Sequence, residues 1–186
     1  MTETRPRRPS IRPPYQLGPM PTGRLMETTD EQIVRAAVRP IFDLARRVEE
    51  WPVHLPHYRY VRVVEAATDG GGLVEMSANR PFGPVDWPTW WLSELEVDHA
   101  TPAIRFRHVE GITSGMEVEW SFTPATAGTL VRILHVWNGP AWPLIGNFSA
   151  KSVIGPVFIH GIASRTLAGL ASVAERQGAA TGRPGR

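Results

Sequence analysis

Apolar and charged residues alternate with a period of two through most of the stretch from Asp86 to Trp137. Within residues 116–122, every even position is apolar and every odd position is Glu or Ser. Successive side chains of a β-strand point to opposite faces, so this pattern predicts strands with one dry face and one wet face. Turn residues at 100–102, 111–115 and 124–128 divide the stretch into consecutive strands.

The charged positions of these strands change sign from one strand to the next. In chain order they are Glu94 and Glu96, Arg105 and Arg107, Glu117 and Glu119, and Arg132. Opposite charges that face each other across antiparallel strands each contribute roughly 0.2–1 kcal/mol, and like charges destabilise. The order therefore predicts an antiparallel meander that carries these charges on its outer face.

The opposite face of the same strands combines wide aromatic rings with a few hydroxyl and imidazole groups. Its members are Trp91, Ser93, Leu95, His108, Trp120, Ile133, His135 and Trp137. Such a mixture is typical of a lined cavity, and it can also fill a core. Both interpretations stay open from the pattern alone.

The segments before the meander predict a basic arm, one strand and a helix. Residues 1–28 are rich in Pro and Arg, so we expect them to be disordered. Glu31–Ala37 has weak strand character, and from Val38 an apolar stripe at helical spacing predicts an amphipathic helix of about three turns. Two prolines limit Trp51–Pro56 to a single helical turn.

A hairpin and a long terminal helix complete the prediction. The expected segments are a strand at Tyr58–Ala66, a hairpin turn at Asp69–Gly72, a return strand at Leu73–Ala78, a loop at Asn79–Pro84, a helix from about Ser149 to Glu175, and a frayed tail at 178–186. The order predicts the α+β class, with a seven-stranded antiparallel sheet wrapped around the long C-terminal helix in one domain at 29–177.

The composition and charge of the chain exclude several kinds of site and partner. The chain of 186 residues has no Cys, which removes disulfides, a thiolate nucleophile and zinc–thiolate sites. Its net charge of +2 comes from the two ends, which hold seven Arg against two Glu, so the body between them is net acidic and we expect no nucleic-acid partner. No apolar run approaches the length of about 18 residues that spans a bilayer, and no signal peptide is evident. We expect a cytoplasmic protein without stable membrane insertion.

Several segments together resemble the START-like (SRPBCC, helix-grip) superfamily, in its polyketide cyclase/aromatase branch. The resemblance covers about residues 31–176, and its marks are residues 33–52 leading to Tyr58, residues 104–111, Met116–Trp120, and Gly128–Thr129 with Arg132. It implies the helix-grip fold, no cofactor, no metal, and an apolar small-molecule partner such as a poly-β-ketone in a tunnel between sheet and helix. The oligomeric state stays open.

Carried over position by position, the resemblance implies a set of residues that face this tunnel. They are Trp51, Tyr58, Trp91, Ser93, His108, Trp120 and His135, and alternation independently places five of them on the inner face. The aromatase pattern also has an Arg two residues after the inward Ser. This chain has Leu95 there, which can neither polarise a ketone nor donate a proton.

His108 and His135 are the proton-transfer candidates, because an imidazole with a pKa near 6.5 can serve as acid or base in an aldol and dehydration sequence. His160 is expected to meet them from the helix, with Met116 and Ile133 among the other ligand-binding residues. The alternative for both histidines is a satisfied hydrogen bond inside a mixed pocket. His54 and His57 lack a third ligand in sequence, and a surface position is favoured over a metal site.

Two functions from different classes remain. One is a cyclase or dehydrase acting on a polyketide, which the inward His and Ser favour. The other is a non-enzymatic carrier of a lipid, quinone or isoprenoid, which Leu95 favours. A regulatory partner protein is a third alternative, and it depends on the basic arm alone.

Overall fold

The computed structural model describes residues 11–82, 85–139 and 160–181. The strands are β1 (Ile11–Arg12), β2 (Met26–Val34), β3 (Tyr58–Ala67), β4 (Gly72–Phe82), β5 (Val85–Asp98), β6 (Ala103–Gly111), β7 (Glu117–Ala125) and β8 (Gly128–Trp137). The helices are α1 (Val38–Arg46), α2 (Trp51–His54) and α3 (His160–Thr181), with a 3-10 turn at Val48–Glu50. No helix among the described residues is long and apolar enough to cross a membrane.

One sheet holds all the described strands in the order β1-β3-β4-β5-β6-β7-β8-β2. Every neighbouring pair from β3 to β2 is antiparallel, and only the two-residue β1 pairs parallel, with β3. The predicted sheet of seven antiparallel strands is confirmed. Strand β2 comes before the meander in sequence yet pairs with its last strand, β8, over nine residue pairs.

The predicted ladder of outer charges is confirmed across β5, β6 and β7. Glu94 pairs with Arg107 and Glu96 with Arg105, while Arg105 pairs with Glu119 on the other side. Arg132 was expected to continue this ladder, and that expectation is wrong. Its register partner on β7 is Ser121, and its ion pair is with Glu31 of β2, 3.4 Å away.

The terminal helix α3 covers the concave face of the sheet. Its buried side chains include Leu167, Leu170 and Ala174, and near its far end Glu175 Oε1 accepts a hydrogen bond from the Arg35 N–H at 2.9 Å. The helix continues through Gly178 to Thr181, so the prediction of a frayed tail is wrong for residues 178–181. The expected helix start near Ser149 lies outside the described residues.

Two strand boundaries differ from the prediction because a partner strand extends the pairing. Strand β2 begins at Met26 instead of Glu31, since Met26 pairs with Trp137 and buries its side chain. The loop expected at Asn79–Pro84 is strand through Phe82, paired with β5. The pairing of β4 with β3 ends at Ala78, so the edge of β4 beyond it is open. An open strand edge tolerates the missing N–H of Pro81.

The arm is also more ordered than predicted. Leu17 is 5% exposed, its N–H donates to Glu96 Oε2 at 2.9 Å, and its carbonyl oxygen accepts from Arg107 at 2.6 Å. Tyr15 donates to Glu65 at 3.1 Å. The expectation of disorder over 1–28 is therefore wrong for 11–28. Prolines prevent helix and ladder formation, but the charged outer face supplies side-chain partners that hold an irregular segment in place.

We expect Leu17→Ala to lower the free energy of unfolding by about 2 kcal/mol, because it removes a buried side chain and leaves a cavity. Leu25→Ala is the matched control, since Leu25 is 47% exposed and its loss should cost less than about 0.5 kcal/mol. Urea unfolding of the two variants measures both values. Equal small effects would mean that the arm does not pack on the sheet.

Candidate functional site

A cavity of about 70 Å³ lies between the concave face of the sheet and α3. Five of the predicted apolar residues line it: Trp51, Trp91, Met116, Trp120 and Ile133. The predicted polar residues Tyr58, His108 and His135 line it as well. Residues from β3, β5, β6, β7, β8 and the short helix α2 therefore meet around one space.

Trp51 organises the aromatic part of this wall. Helix α2 places its indole 5.2 Å from the ring of Tyr58 and 5.7 Å from that of Trp120, between centroids. Its Nε1 donates to the Ala45 carbonyl oxygen at 3.2 Å, which fixes the ring. The rings pack largely against each other, so the remaining volume is well below the roughly 300 Å³ of an ordinary ligand pocket. A guest of several rings therefore requires lining side chains to move outward.

His108 is held in a defined orientation at the cavity wall. Its ring stacks on Trp91 with centroids 5.9 Å apart and planes inclined by 16°, and its Nδ1 lies 2.6 Å from Thr113 Oγ1. Thr113 lies between β6 and β7 and also lines the cavity. Sequence reasoning treated this segment only as a turn, because nothing in the pattern shows that its hydroxyl folds back onto an inward histidine.

His135 is buried on β8 and lines the cavity. Burial lowers its pKa to about 3, because a charged imidazolium would lose its hydration there. The side chain is therefore neutral at physiological pH and cannot act as an imidazolium acid. Its Nδ1 has no hydrogen-bond partner among the described residues.

A third polar group on the wall connects Tyr58 to α3. Thr166 Oγ1 lies 3.3 Å from the Tyr58 hydroxyl and 3.1 Å from His57 Nε2, and it donates to the Ile162 carbonyl oxygen at 2.8 Å. Burial, and next the nearby Arg165, lower the pKa of His57. His57 is half-buried against α3, not on the surface as expected. Within the described ranges, no group of three or more His, Cys, Asp or Glu side chains is arranged to hold a metal.

Three predicted site residues lie away from the cavity wall. Ser93 and Leu95 face inward but are packed in the core at 0% and 1% exposure, and Ser93 Oγ has no partner among the described residues. The expectation that His160 meets the inward histidines is wrong, since its side chain is 62% exposed and contacts Asp30. The helix presents Ile162, Ala163 and Thr166 to the cavity instead.

Sequence reasoning also missed several apolar wall residues. Met76 on β4, Phe106 on β6 and Val118 on β7 line the cavity. Phe106 and Val118 occupy alternating apolar positions of the predicted strands, but only the packing of helix on sheet shows which of these residues reach the space. No Asp, Glu, Lys or Arg lies among the lining residues that the structure describes. The cavity therefore suits an uncharged guest, since a buried charge without a partner is costly.

Comparisons with known proteins agree with this architecture. The family described as "Polyketide cyclase / dehydrase and lipid transport" matches residues 34–153, more than half of the chain. Among proteins with curated descriptions, none matches this chain in sequence.

Solved structures share the fold at low sequence identity. The Zhui aromatase/cyclase from Streptomyces sp. R1128 is 16% identical with a TM-score of 0.67, over 85% of this chain and 98% of that one. A Thermus thermophilus protein, TTHA0849, is 22% identical with a TM-score of 0.68, over 81% and 98%. A START superfamily protein from Mycobacterium smegmatis is 16% identical with a TM-score of 0.58, over 81% and 95%.

Proposed function

Because this chain belongs to the polyketide cyclase/dehydrase and lipid transport family and has the START-like helix-grip fold, we propose that it binds an uncharged, apolar, oxygenated small molecule in its cavity and promotes its cyclisation and dehydration. The substrate class is a poly-β-ketone or a similar polyketide intermediate. The observation that carries the proposal is the orientation of His108 by Trp91 and Thr113 at the cavity wall.

In the proposed reaction, His108 transfers protons and Tyr58 binds a carbonyl oxygen. The His108 imidazole removes a proton from a carbon between two carbonyl groups, and that carbon forms a bond to a second carbonyl carbon. The new alkoxide takes the proton back from the imidazolium. For the dehydration, the His108 imidazole removes the second proton of the same carbon and returns it to the hydroxyl, which leaves as water as the carbon–carbon double bond forms. The Tyr58 hydroxyl, supported by Thr166, is placed to bind a carbonyl oxygen.

We expect His108→Gln to lower the turnover of a cyclisable poly-β-ketone by about a hundredfold or more, as removal of a general acid–base group does. Binding of an apolar ligand, followed by tryptophan fluorescence, should change by less than about threefold, since Gln keeps the size and polarity. His54→Gln is the control, because His54 does not line the cavity. Product formation is measured by chromatography of the cyclised compound.

The second candidate function is a non-enzymatic carrier for a lipid, quinone or isoprenoid. Three observations favour it: Leu95 in place of the aromatase Arg, the neutral state of His135, and the lack of charged side chains among the described residues of the wall. Ligand binding without any turnover would support the carrier over the enzyme, whereas unchanged turnover in both His108→Gln and His135→Gln would overturn the proposed roles of these histidines. Native mass spectrometry of the freshly purified protein tests directly for a bound small molecule.

A further inference from the structure

Strand β2 places two polar side chains beside His135 on the inner face of the sheet. Thr28 is the register partner of His135, directly across the β2–β8 pair, and Asp30 is the partner of Ile133, one inward position further along. Side chains directly opposite across a strand pair have Cβ atoms about 5 Å apart, and diagonal neighbours are within about 8 Å. The three polar side chains therefore form one cluster.

Each member of this cluster has a buried polar atom without a hydrogen-bond partner among the described residues. The atoms are Thr28 Oγ1, Asp30 Oδ2 and His135 Nδ1. Buried polar atoms nearly always have a partner, because an unsatisfied one keeps the cost of its lost hydration. Three of them on neighbouring positions indicate that a bound group completes the site.

The surroundings enclose the cluster. Asp30 is 6% exposed and His135 is 7% exposed. The other carboxylate oxygen of Asp30, Oδ1, contacts His160 Nδ1 at the start of α3. Burial raises the pKa of Asp30, and the charge of His160 acts against that shift. His135 also lines the cavity, so the cluster adjoins the space proposed for the ligand.

We infer that Thr28, Asp30 and His135 form a polar subsite that binds a hydroxyl group of the ligand. This inference rests on the proposed function, because the ligand's apolar body must occupy the adjoining cavity. A hydroxyl has one donor and two acceptor sites. The ligand hydroxyl donates to Asp30 Oδ2 and accepts from the Thr28 hydroxyl. It also accepts from His135 Nδ1–H, because the neutral imidazole can carry its hydrogen on Nδ1. All three orphaned atoms thereby gain a partner.

Other ligand groups fit this set less well. A ketone or a carboxylate has no hydrogen to give to Asp30 Oδ2. An ammonium group could pair with Asp30, but the described wall of the adjoining cavity has no charged side chain, so the rest of its hydration would be lost without replacement. The subsite therefore selects alcohols, phenols or enols.

Phenol and toluene are a matched pair of probes, because phenol has a hydroxyl group at the position where toluene has a methyl group. We expect phenol to bind the full-length protein at least as tightly as toluene does, although toluene is the more apolar molecule. In Thr28→Val the ratio of the toluene to the phenol dissociation constant should fall about tenfold, which corresponds to the loss of one good hydrogen bond. Thr29→Val, on the exposed face of the same strand, should leave the ratio unchanged.

The possible outcomes of these binding measurements test the subsite proposal and the cavity proposal separately. If toluene binds but the ratio of dissociation constants is the same in Thr28→Val as in the wild type, the subsite is overturned and the cavity proposal stands. This result is expected if only water fills the cluster. Failure of both probes to bind overturns the two proposals together. Tighter binding of benzylamine than of phenol overturns the assignment to a hydroxyl.

A measurement without ligand gives an independent test. If the Thr28 hydroxyl has no protein partner, Thr28→Val removes an orphaned polar atom, so its thermal unfolding midpoint should equal or exceed that of the wild type. Thr29→Val is again the control for the β-strand preference of Val. A clearly lower midpoint in Thr28→Val alone would show that the hydroxyl already has a structural partner, and would overturn the inference.

Discussion

Replacing Arg105 with alanine is expected to lower the free energy of unfolding by about 3 kcal/mol or more, whereas Arg132→Ala should cost less than about 1 kcal/mol. The Arg105 and Glu117 side chains are only 10% and 11% exposed, and their atoms Nη2 and Oε2 are 2.8 Å apart. Arg105 Nε also lies 3.7 Å from Glu119 Oε2, an ion-pair distance too long for a hydrogen bond. Removing the guanidinium leaves a buried carboxylate without its main partner.

Arg132 is the matched control because it forms the same type of cross-strand pair in solvent. Its side chain and that of Glu31 are 47% and 50% exposed, so water screens their attraction. Chemical denaturation of the two variants compares them directly. Similar losses for both would mean that the outer-face network behaves as ordinary surface charge despite its burial under the arm.

Acidification from pH 7.5 to pH 5 is expected to destabilise the wild type by about 2 kcal/mol through His135 alone. The folded pKa of His135 is about 3, against an ordinary value of 6.5. Between these values the unfolded chain binds one proton more than the folded chain, so stability falls as the pH falls through this window. Above pH 6.5 both states are neutral at this residue and the effect disappears.

His135→Gln should lose this part of the pH dependence, because glutamine does not titrate. Ile133→Val is the control, since it lowers stability by about 1 kcal/mol without removing a titrating group. The lowered pKa of His57 acts in the same direction as that of His135. The raised pKa of Asp30 acts in the opposite direction, since its contribution is lost as the pH rises above 3.8.

Denaturation curves at pH 5, 6 and 7.5 for each variant isolate the His135 contribution from these other groups. An unchanged slope in His135→Gln would show that the imidazole is not held neutral by burial. It would also remove the physical reason for treating His135 as a hydrogen-bonding group in place of an acid.

The neutral His135 and the small cavity bear on both proposed functions. In the proposed cyclase, proton transfer is assigned to His108, whose ring stacks on Trp91 and whose Nδ1 lies beside Thr113. A substrate of several rings needs more than the 70 Å³ present between the packed aromatic side chains. Enzyme and carrier alike therefore require the Trp51 cluster to open when a ligand enters.

The sequence alone determined the features that depend on local periodicity and on neighbouring charges. Alternation identified the meander and its inner face, and the Glu–Arg–Glu order across β5, β6 and β7 set the register, because each signal acts between strands that are adjacent in the chain. The single helical turn at Trp51–Pro56 was predicted for the same reason, since prolines act on their immediate neighbours.

Only the tertiary structure decided which distant side chains meet. The packing of α3 on the sheet puts Thr166 in the cavity wall and leaves His160 outside it. The pairing of β2 with β8 joins residues about a hundred positions apart, and this pairing brings Thr28 to His135 and Arg132 to Glu31. The arm, too, is held by side chains of β5 and β6 that its own composition does not reveal. These contacts depend on packing between separate elements, and local sequence carries no periodic signal for it.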